Sequence, residues 1–251
     1  MIMIAKSMSN EPQTLKEFRL RANIKVKLKS KISGLFDKYV DEYKADDLRE
    51  VLRVEQGFIC CYCMSSIETG KTKIEHYKPR DGNEELEIDY KNLYLACDGE
   101  KVNCTENQDN NILIYDDCKC KHDENKCKEK DNRTIKKASK KIVKHCDTCK
   151  DNRNFKYIDL INIEREIKYK SDGTIYSDNK NIDEELNSIL NLSIEVLKKS
   201  RKNAKIDLWN SLPKNRTWNI QKIIDKYKEQ SKKAPYVGVI LYFLNKKLRA
   251  I

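Results

Sequence analysis

Apolar positions return every three or four residues along residues 11–57, which is the spacing of one face of a helix. No Gly or Pro interrupts the stretch between Thr14 and Ser33. The side chains that share this face are Leu15, Phe18, Ala22, Val26, Leu48, Val51 and Leu52. The pattern predicts an N-terminal helical region over residues 1–57.

A shorter period follows in the last third of the chain. Residues 155–158 are rich in aromatic and branched side chains, residues 166–170 alternate between polar and apolar, and a further apolar pair occupies residues 175–176. Asp172 and Gly173 lie between the last two stretches, and an Asp-Gly pair in this position is typical of a hairpin turn. The sequence therefore predicts short strands here.

The helical period then returns. It runs through residues 186–197 and 218–230, and Pro235 is placed to open a final helix. These patterns predict a C-terminal helical region over residues 179–251.

Residues 58–178, between the two helical regions, contain all ten cysteines and all three histidines. Within them, residues 98–144 are polar and rich in Lys, with little periodicity, which indicates an insertion. Its one apolar run, residues 112–115, is a candidate strand. We expect the chemistry of the protein to lie in this middle region.

Composition narrows the class of protein. Of the 251 residues 36% are charged, and no apolar run is long enough for a transmembrane helix. The apolar residues 1–5 are too few for the core of a signal peptide, so we expect a cytoplasmic protein without membrane contact. The net charge of +11 favours a polyanionic partner such as nucleic acid, although solvated helix surfaces also explain many lysines.

The spacing of the cysteines points to metal binding. In a reducing compartment, paired cysteines are more often metal ligands or catalytic groups than disulfides. Cys60 and Cys63 form a Cys-x-x-Cys pair, which places two thiolates on one tetrahedral zinc ion and leaves two ligands to come from elsewhere. A metal site is thus predicted, with its remaining ligands open.

Glu75 and His76 stand next to each other in an apparent short strand. Since side chains alternate along a strand, the two should point to opposite faces, so that one can ligate a metal ion while the other faces a substrate. Two further polar strings follow, residues 89–97 with Asn92 and residues 145–153 after the insertion.

Taken in chain order, these strings resemble the HNH endonucleases. The match consists of the acid–His pair Glu75 and His76, the loop residue Asn92, and the Cys-Asp-x-x-Lys string from Cys146 to Lys150. The resemblance implies an α+β fold in which a zinc-braced ββα-metal core lies between N- and C-terminal α-helices.

The resemblance also implies roles. His76 would be the general base that activates water for attack on a phosphodiester, and Asn92 would orient the loop and His76. Glu75 and Asp147 would hold one catalytic divalent cation, Mg²⁺ or Mn²⁺. Structural zinc would be bound by Cys60, Cys63, Cys97 and Cys146. Nucleic acid would be contacted by Lys150, Asn152 and Arg153.

Four short motifs are similar to the HNH nucleases associated with retrons, a group that includes the nuclease subunit of Septu anti-phage systems. They read Cys-x-Tyr-Cys, Ile-Glu-His-Tyr-Lys-Pro, Asp-Tyr-x-Asn-Leu and His-Cys-Asp-x-x-Lys-x-Asn. This likeness implies an anti-phage effector that works with an ATPase partner. The chain departs from the pattern in the long separation of Cys97 from Cys146, and in Asp151 where Gly is usual.

The insertion is a candidate for a second zinc site, because it has enough ligands and is too polar to fold on a core of its own. The ligands would be Cys118, Cys120 and Cys127 with either Cys104 or His122. A loop with free thiols is the alternative interpretation.

Two other functions compete with the defence nuclease. A zinc-stabilised nucleic-acid-binding or scaffold protein without catalysis would share the cysteines and the basic charge, but it would not need Glu75, His76 and Asn92 at their spacing. A stand-alone restriction or homing HNH nuclease should carry its own sequence-reading domain, and none is evident. The choice between DNA and RNA as substrate stays open.

Overall fold

A computed structural model of the chain describes residues 6–27, 34–105, 112–113, 139–160, 162–212 and 218–250. These residues form a mixture of helices and small antiparallel sheets. The helices are α1 (Gln13–Lys27), α2 (Leu35–Tyr43), α3 (Asp46–Glu55), α4 (Cys146–Lys150), α5 (Lys180–Ser188), α6 (Glu195–Ser211), α7 (Ile220–Glu229) and α8 (Val237–Leu248). The strands are β1 (Thr72–His76), β2 (Leu93–Cys97), β3 (Glu100–Thr105), β4 (Ile112–Leu113), β5 (Ser139–Lys144), β6 (Lys168–Tyr169) and β7 (Ile175–Tyr176).

The predicted N-terminal helical region is present as three helices. Between α2 and α3, Lys44 and Ala45 adopt left-handed backbone with φ of 60° and 57°, which ends one helix and turns the chain into the next. Leu15, Leu48 and Leu52 of the predicted apolar face are fully inaccessible to solvent, and Phe18 and Ala22 are buried.

Strands β1 and β2 form an antiparallel hairpin that runs from the pair Thr72 and Cys97 to the pair His76 and Leu93. Gln56 follows α3, and its side-chain amide binds the backbone of β2 on the edge that does not pair with β1, as a neighbouring strand would. Its amide donates to Leu95 O at 2.7 Å and accepts from Leu95 N at 2.7 Å. Because the buried edge of β2 is satisfied in this way, α3 is fixed against the hairpin.

The predicted insertion begins and ends in paired strands. β3 and β5 are antiparallel partners from Glu100 with Lys144 to Thr105 with Ser139, and β4 adds a short third strand in the predicted apolar run. This pairing brings the two ends of the insertion together. As a result α4 begins close to the end of β2 and packs against that strand.

Residues 155–158 do not form the predicted strand. The backbone N–H groups of Lys156, Tyr157 and Ile158 instead donate to the buried carboxylate of Glu185 in α5, at 2.7, 3.1 and 2.9 Å. Since the carboxylate of Glu185 binds the backbone N–H groups that a neighbouring strand would have used, the prediction of a strand over residues 155–158 is wrong.

Beyond this segment, the strand predicted over residues 166–170 shortens to β6, which pairs with β7. The hairpin at Asp172 and Gly173 is confirmed, and Gly173 has a φ of 91°.

The single helix predicted over residues 186–197 is wrong, because α5 ends at Ser188 and α6 begins at Glu195. Carbonyl groups in the break bind elsewhere. Leu190 O accepts from Cys146 N at 2.9 Å, and Leu192 O accepts from the Arg201 guanidinium at 2.5 Å. The first residue of α4 is therefore held by a carbonyl group from the break between α5 and α6.

The helix predicted over residues 218–230 is confirmed as α7, and α8 begins two residues after Pro235. One connected apolar core joins all three predicted regions, with members such as Leu52, Leu95, Leu197 and Leu244. Among the helices of the described ranges, none combines the length and apolar character that crossing a bilayer requires.

Substitution of Gly173 tests how tightly the β6–β7 hairpin packs on α6. A Cβ at this position would lie 2.0 Å from Lys198 O, so Gly173→Ala should lower the free energy of unfolding by about 3 kcal/mol through backbone strain and overpacking. Gly70→Ala is the matched control, because Gly70 has a similar φ of 95° but a Cβ added there would meet no atom within 4 Å.

The control should lose only about 1–2 kcal/mol, the strain of left-handed backbone. Urea denaturation monitored by circular dichroism measures both values. Equal losses for the two variants would show that the hairpin does not press on α6.

Candidate metal centre and adjoining cavity

Four buried cysteines from three parts of the chain meet at one point. Cys60 and Cys63 lie in the turn after α3, Cys97 ends β2, and Cys146 begins α4. Their sulfur atoms all lie within 4.8 Å of one another. These are the four ligands that the resemblance implied, and the paired strands of the insertion explain how Cys97 reaches Cys146.

The spacing of the sulfur atoms fits a shared metal ion. Cys60 Sγ lies 4.0 Å from Cys146 Sγ, and Cys63 Sγ lies 3.8 Å from Cys97 Sγ. Four sulfurs at about 2.3 Å from a tetrahedral zinc ion would be about 3.8 Å apart. A disulfide needs about 2.05 Å. The cluster could therefore hold a structural metal ion such as zinc.

Polar groups around the cluster favour negatively charged sulfur. His145 Nδ1 lies 3.0 Å from Cys146 Sγ, and the Ser65 hydroxyl lies 3.1 Å from Cys63 Sγ. Within the cluster, the hydrogen bond with Cys146 lowers the pKa of Cys63, whereas burial raises the pKa of Cys146, so the four thiols do not ionise alike.

Arg201 of α6 adds a buried positive charge near the cluster. It is only 1% exposed, and Cys63 and Cys146 are among the groups whose charges act on it. Its Nε is one of the few buried polar atoms without a hydrogen-bond partner in the described part of the chain. Such a charge offsets part of the excess negative charge of four thiolates on a divalent ion.

Cys146 is held in an unusual backbone conformation with a φ of 53°. A non-glycine residue in this region costs about 1–3 kcal/mol and persists only where its surroundings fix it. Here the Cys146 N–H is bound to Leu190 O while the sulfur faces the cluster. The strain is consistent with a position set by ligand geometry.

A cavity of about 280 Å³ lies at the end of β1, and Asp147, the chain neighbour of the cluster residue Cys146, is in its wall. It is a polar cavity that brings together residues from β1, the loop after it and α4. The residues that line it are Lys73, Ile74, Glu75, His76, Pro79, Arg80, Asp147, Thr148, Asp151 and Asn152. Three of the predicted site residues, Glu75, His76 and Asp147, therefore share one cavity.

Glu75 is buried and tightly bound on one oxygen. Its Oε1 accepts a hydrogen bond from the Tyr62 hydroxyl at 2.6 Å and forms an ion pair with Lys150 Nζ at 2.7 Å. Burial, and next the hydrogen bond with Asp147, raise the pKa of Glu75 well above its usual range, although Lys150 opposes the shift. Two carboxyl groups thus lie close together in a site that favours a neutralising proton or cation.

His76 lies against the N-terminal helices. Its Nε2 is 2.9 Å from Glu87 O, and its ring makes an edge contact with Phe36 at 4.6 Å between centroids. Because a carbonyl only accepts, Nε2 carries the proton and Nδ1 keeps its lone pair. Burial lowers the pKa of His76, which keeps the ring neutral at neutral pH. His76 and Glu75 have different hydrogen-bond partners, yet both line the same cavity, so the strand does not separate them into two sites as the sequence predicted.

Asn92 fixes the loop that follows β1. Its side chain accepts from Lys78 N at 2.7 Å and donates to Lys78 O at 3.0 Å and Leu86 O at 3.2 Å. These bonds hold the backbone two residues beyond His76, and in the described residues they do not reach the His76 ring.

The three predicted nucleic-acid contacts lie in different surroundings. Asn152 is exposed at the cavity. Lys150 is 1% exposed and donates to His76 O at 3.0 Å besides pairing with Glu75, so a phosphate backbone would not reach it. Arg153 binds the carbonyls of Cys149, Ser188 and Ile189, which ties α4 to the end of α5.

The predicted second zinc site lies outside the described residues. This applies to Cys118, Cys120, Cys127 and His122, and to the side chain of Cys104 in β3. The site stays a prediction.

Sequence reasoning missed two residues of this region, Tyr62 and Arg201. Tyr62 lies inside the Cys-x-x-Cys pair, so its nearness to the cluster could be foreseen, but its partner Glu75 could not. Arg201 had no signal, because it is one basic residue among many in a Lys-rich helix.

Comparison with models of known protein families and with curated proteins finds no match for this chain.

Removal of one thiol tests the metal centre. Cys63→Ser should bind one metal ion fewer per chain than the wild type and lower Tm by about 10 °C or more, since the ion crosslinks three parts of the core. Cys61→Ala is the matched control, because Cys61 is buried in the same turn but is not part of the cluster.

Elemental analysis by mass spectrometry and a thermal melt measure the two effects. The control should keep the metal and lose at most about 3 °C. A Cys63→Ser protein with the metal content and Tm of the wild type would contradict the assignment of this cluster.

Proposed function

We propose that the protein is a metal-dependent HNH endonuclease that hydrolyses phosphodiester bonds in DNA. The observation that carries the proposal is the cavity in which Glu75, His76 and Asp147 meet, in a chain that also brings four buried cysteines together. A protein that only binds nucleic acid has no need for a neutral buried imidazole next to a pair of carboxylates.

The fold around the cavity supports the resemblance to the HNH family. The hairpin β1–β2 is followed by α4 packed against β2, with the insertion closed off by β3 and β5. On this interpretation the hairpin and α4 form the ββα core, and the ion of the cysteine cluster is structural zinc.

His76 is suited to act as a general base. Its Nε2 is bound to Glu87 O, which orients the ring, and its Nδ1 is available to take a proton from water. The lowered pKa of His76 keeps it in the basic form at neutral pH.

The carboxylates Glu75 and Asp147 fit a divalent cation. Burial, and next the closeness of Asp147, raise the pKa of Glu75, and an ion between the two carboxylates would remove their repulsion. Mg²⁺ or Mn²⁺ prefers oxygen ligands of this kind, and when bound it would stabilise negative charge on the phosphate. Lys73 and Arg80 also line the cavity and can attract the phosphate backbone.

The biological setting rests on the sequence motifs alone. We propose that the nuclease is the effector of a cytoplasmic anti-phage system and that an ATPase partner controls it. The competing function is that of a zinc-stabilised binding or scaffold protein. It explains the cysteine cluster, but it does not explain why Glu75, His76 and Asp147 line one cavity.

Cleavage of supercoiled plasmid DNA with Mg²⁺ or Mn²⁺ tests the activity, with and without the proteins encoded beside this one. Loss of the base in His76→Ala should slow cleavage about 100-fold or more. Asp147→Asn should also abolish most activity through loss of a cation ligand, and because Asp147 is only partly buried this variant should fold normally.

Asp46→Asn, at an exposed position in the first turn of α3, is the matched control for the change of charge and should cleave like the wild type. Equal cleavage by wild type and His76→Ala would refute the role of His76. Absence of cleavage under every condition would favour the binding protein.

A further inference from the structure

We propose that Tyr62 is a positioning residue for the cation site, because its hydroxyl fixes Glu75 Oε1 and thereby turns Glu75 Oε2 toward the cavity. This inference rests on the proposed function, since it concerns the same carboxylates. On this proposal the Cys-x-x-Cys turn has two roles: it supplies two cysteines of the cluster, and through Tyr62 it positions a carboxylate of the cation site.

Two donors hold the same oxygen of Glu75. Tyr62 and Lys150 both bind Oε1, at 2.6 and 2.7 Å, and the carboxyl group also shares a hydrogen bond with Asp147. A carboxylate held by two donors on one oxygen presents the other in a fixed direction, which favours a ligand on that side.

Tyr62 itself has little freedom to move. The residue is fully buried, and its ring packs edge-on against Phe155 with 5.9 Å between centroids. It belongs to a turn in which Cys61 N donates to Leu95 O and Cys60 N donates to Ser65 O, at 3.2 and 2.9 Å. The hydroxyl can therefore leave Glu75 only if the turn moves.

The second carboxylate, Asp147, is linked to the cluster through the chain itself. Asp147 directly follows the ligand Cys146, and Lys150 lies one helical turn further along α4. Tyr62, Asp147 and Lys150 are thus all within four residues of a cysteine of the cluster. An ion bound to the cluster would fix the spacing of the two carboxylates.

A buried tyrosine can also be a simple core residue with a satisfied hydroxyl, and the chain contains a close copy for comparison. Tyr90 is fully buried and donates to Glu55 at 2.8 Å, while Lys6 pairs with the same carboxylate at 2.9 Å. This Tyr–Glu–Lys group has the same chemistry as Tyr62, Glu75 and Lys150, but it does not line the cavity.

Titration of the purified full chain with Mn²⁺ by isothermal calorimetry is the test, with Glu75→Gln used to identify the signal of this site. Tyr62→Phe keeps the ring and removes only the hydroxyl. It should retain the metal content of the wild type and weaken Mn²⁺ binding about 10-fold or more, the usual effect of removing a group that orients a ligand. Tyr90→Phe should bind Mn²⁺ within about 2-fold of the wild type, because its partner Glu55 lies outside the cavity.

The inference is overturned if Tyr62→Phe binds Mn²⁺ like the wild type, if Tyr90→Phe weakens binding equally, or if the wild type shows no binding that depends on Glu75. Plasmid cleavage separates this inference from the proposed function. Weaker Mn²⁺ binding by Tyr62→Phe without cleavage by any protein would sink the nuclease proposal alone. Normal cleavage and normal binding by Tyr62→Phe would sink the role of Tyr62 alone.

Discussion

The convergence of Cys60, Cys63, Cys97 and Cys146 is the constraint on which the rest of the site depends. Four buried thiols at these distances repel one another once they ionise, whereas a shared metal ion converts the repulsion into a crosslink. Such a crosslink would join the turn after α3, the end of β2 and the start of α4. In a chain with 36% charged residues, it would supply cohesion that a larger apolar core would otherwise provide.

Two chain neighbours of the cluster cysteines take part in the carboxylate site. Tyr62 donates to Glu75, and Asp147 lines the cavity together with Glu75. His76 approaches from the hairpin, where Phe36 of α2 and the backbone of Glu87 hold its ring. Phe36 of α2 and the backbone of Glu87 therefore orient the imidazole, while Tyr62 and Lys150 hold the carboxylate of Glu75.

Local pattern predicted the helices of both flanks and the hairpin at Gly173, because these depend on neighbouring residues. The errors came from partners distant in sequence. Glu185 takes the N–H groups of residues 156–158, and α4 uses a carbonyl from residues 189–194, so a strand and a continuous helix were predicted where neither forms. For the site, the motifs named the four cysteines and the carboxylates, but the hydrogen bond from Tyr62 to Glu75 depends on the folded hairpin.

The most direct test of the central claim replaces the metal ion with cadmium-113 and records its nuclear magnetic resonance spectrum, which separates sites by their ligands. The account predicts a resonance typical of four thiolate ligands that disappears in Cys97→Ser. A folded protein without such a resonance would show that the four cysteines do not share a metal ion, and the cavity would then need another explanation for its order.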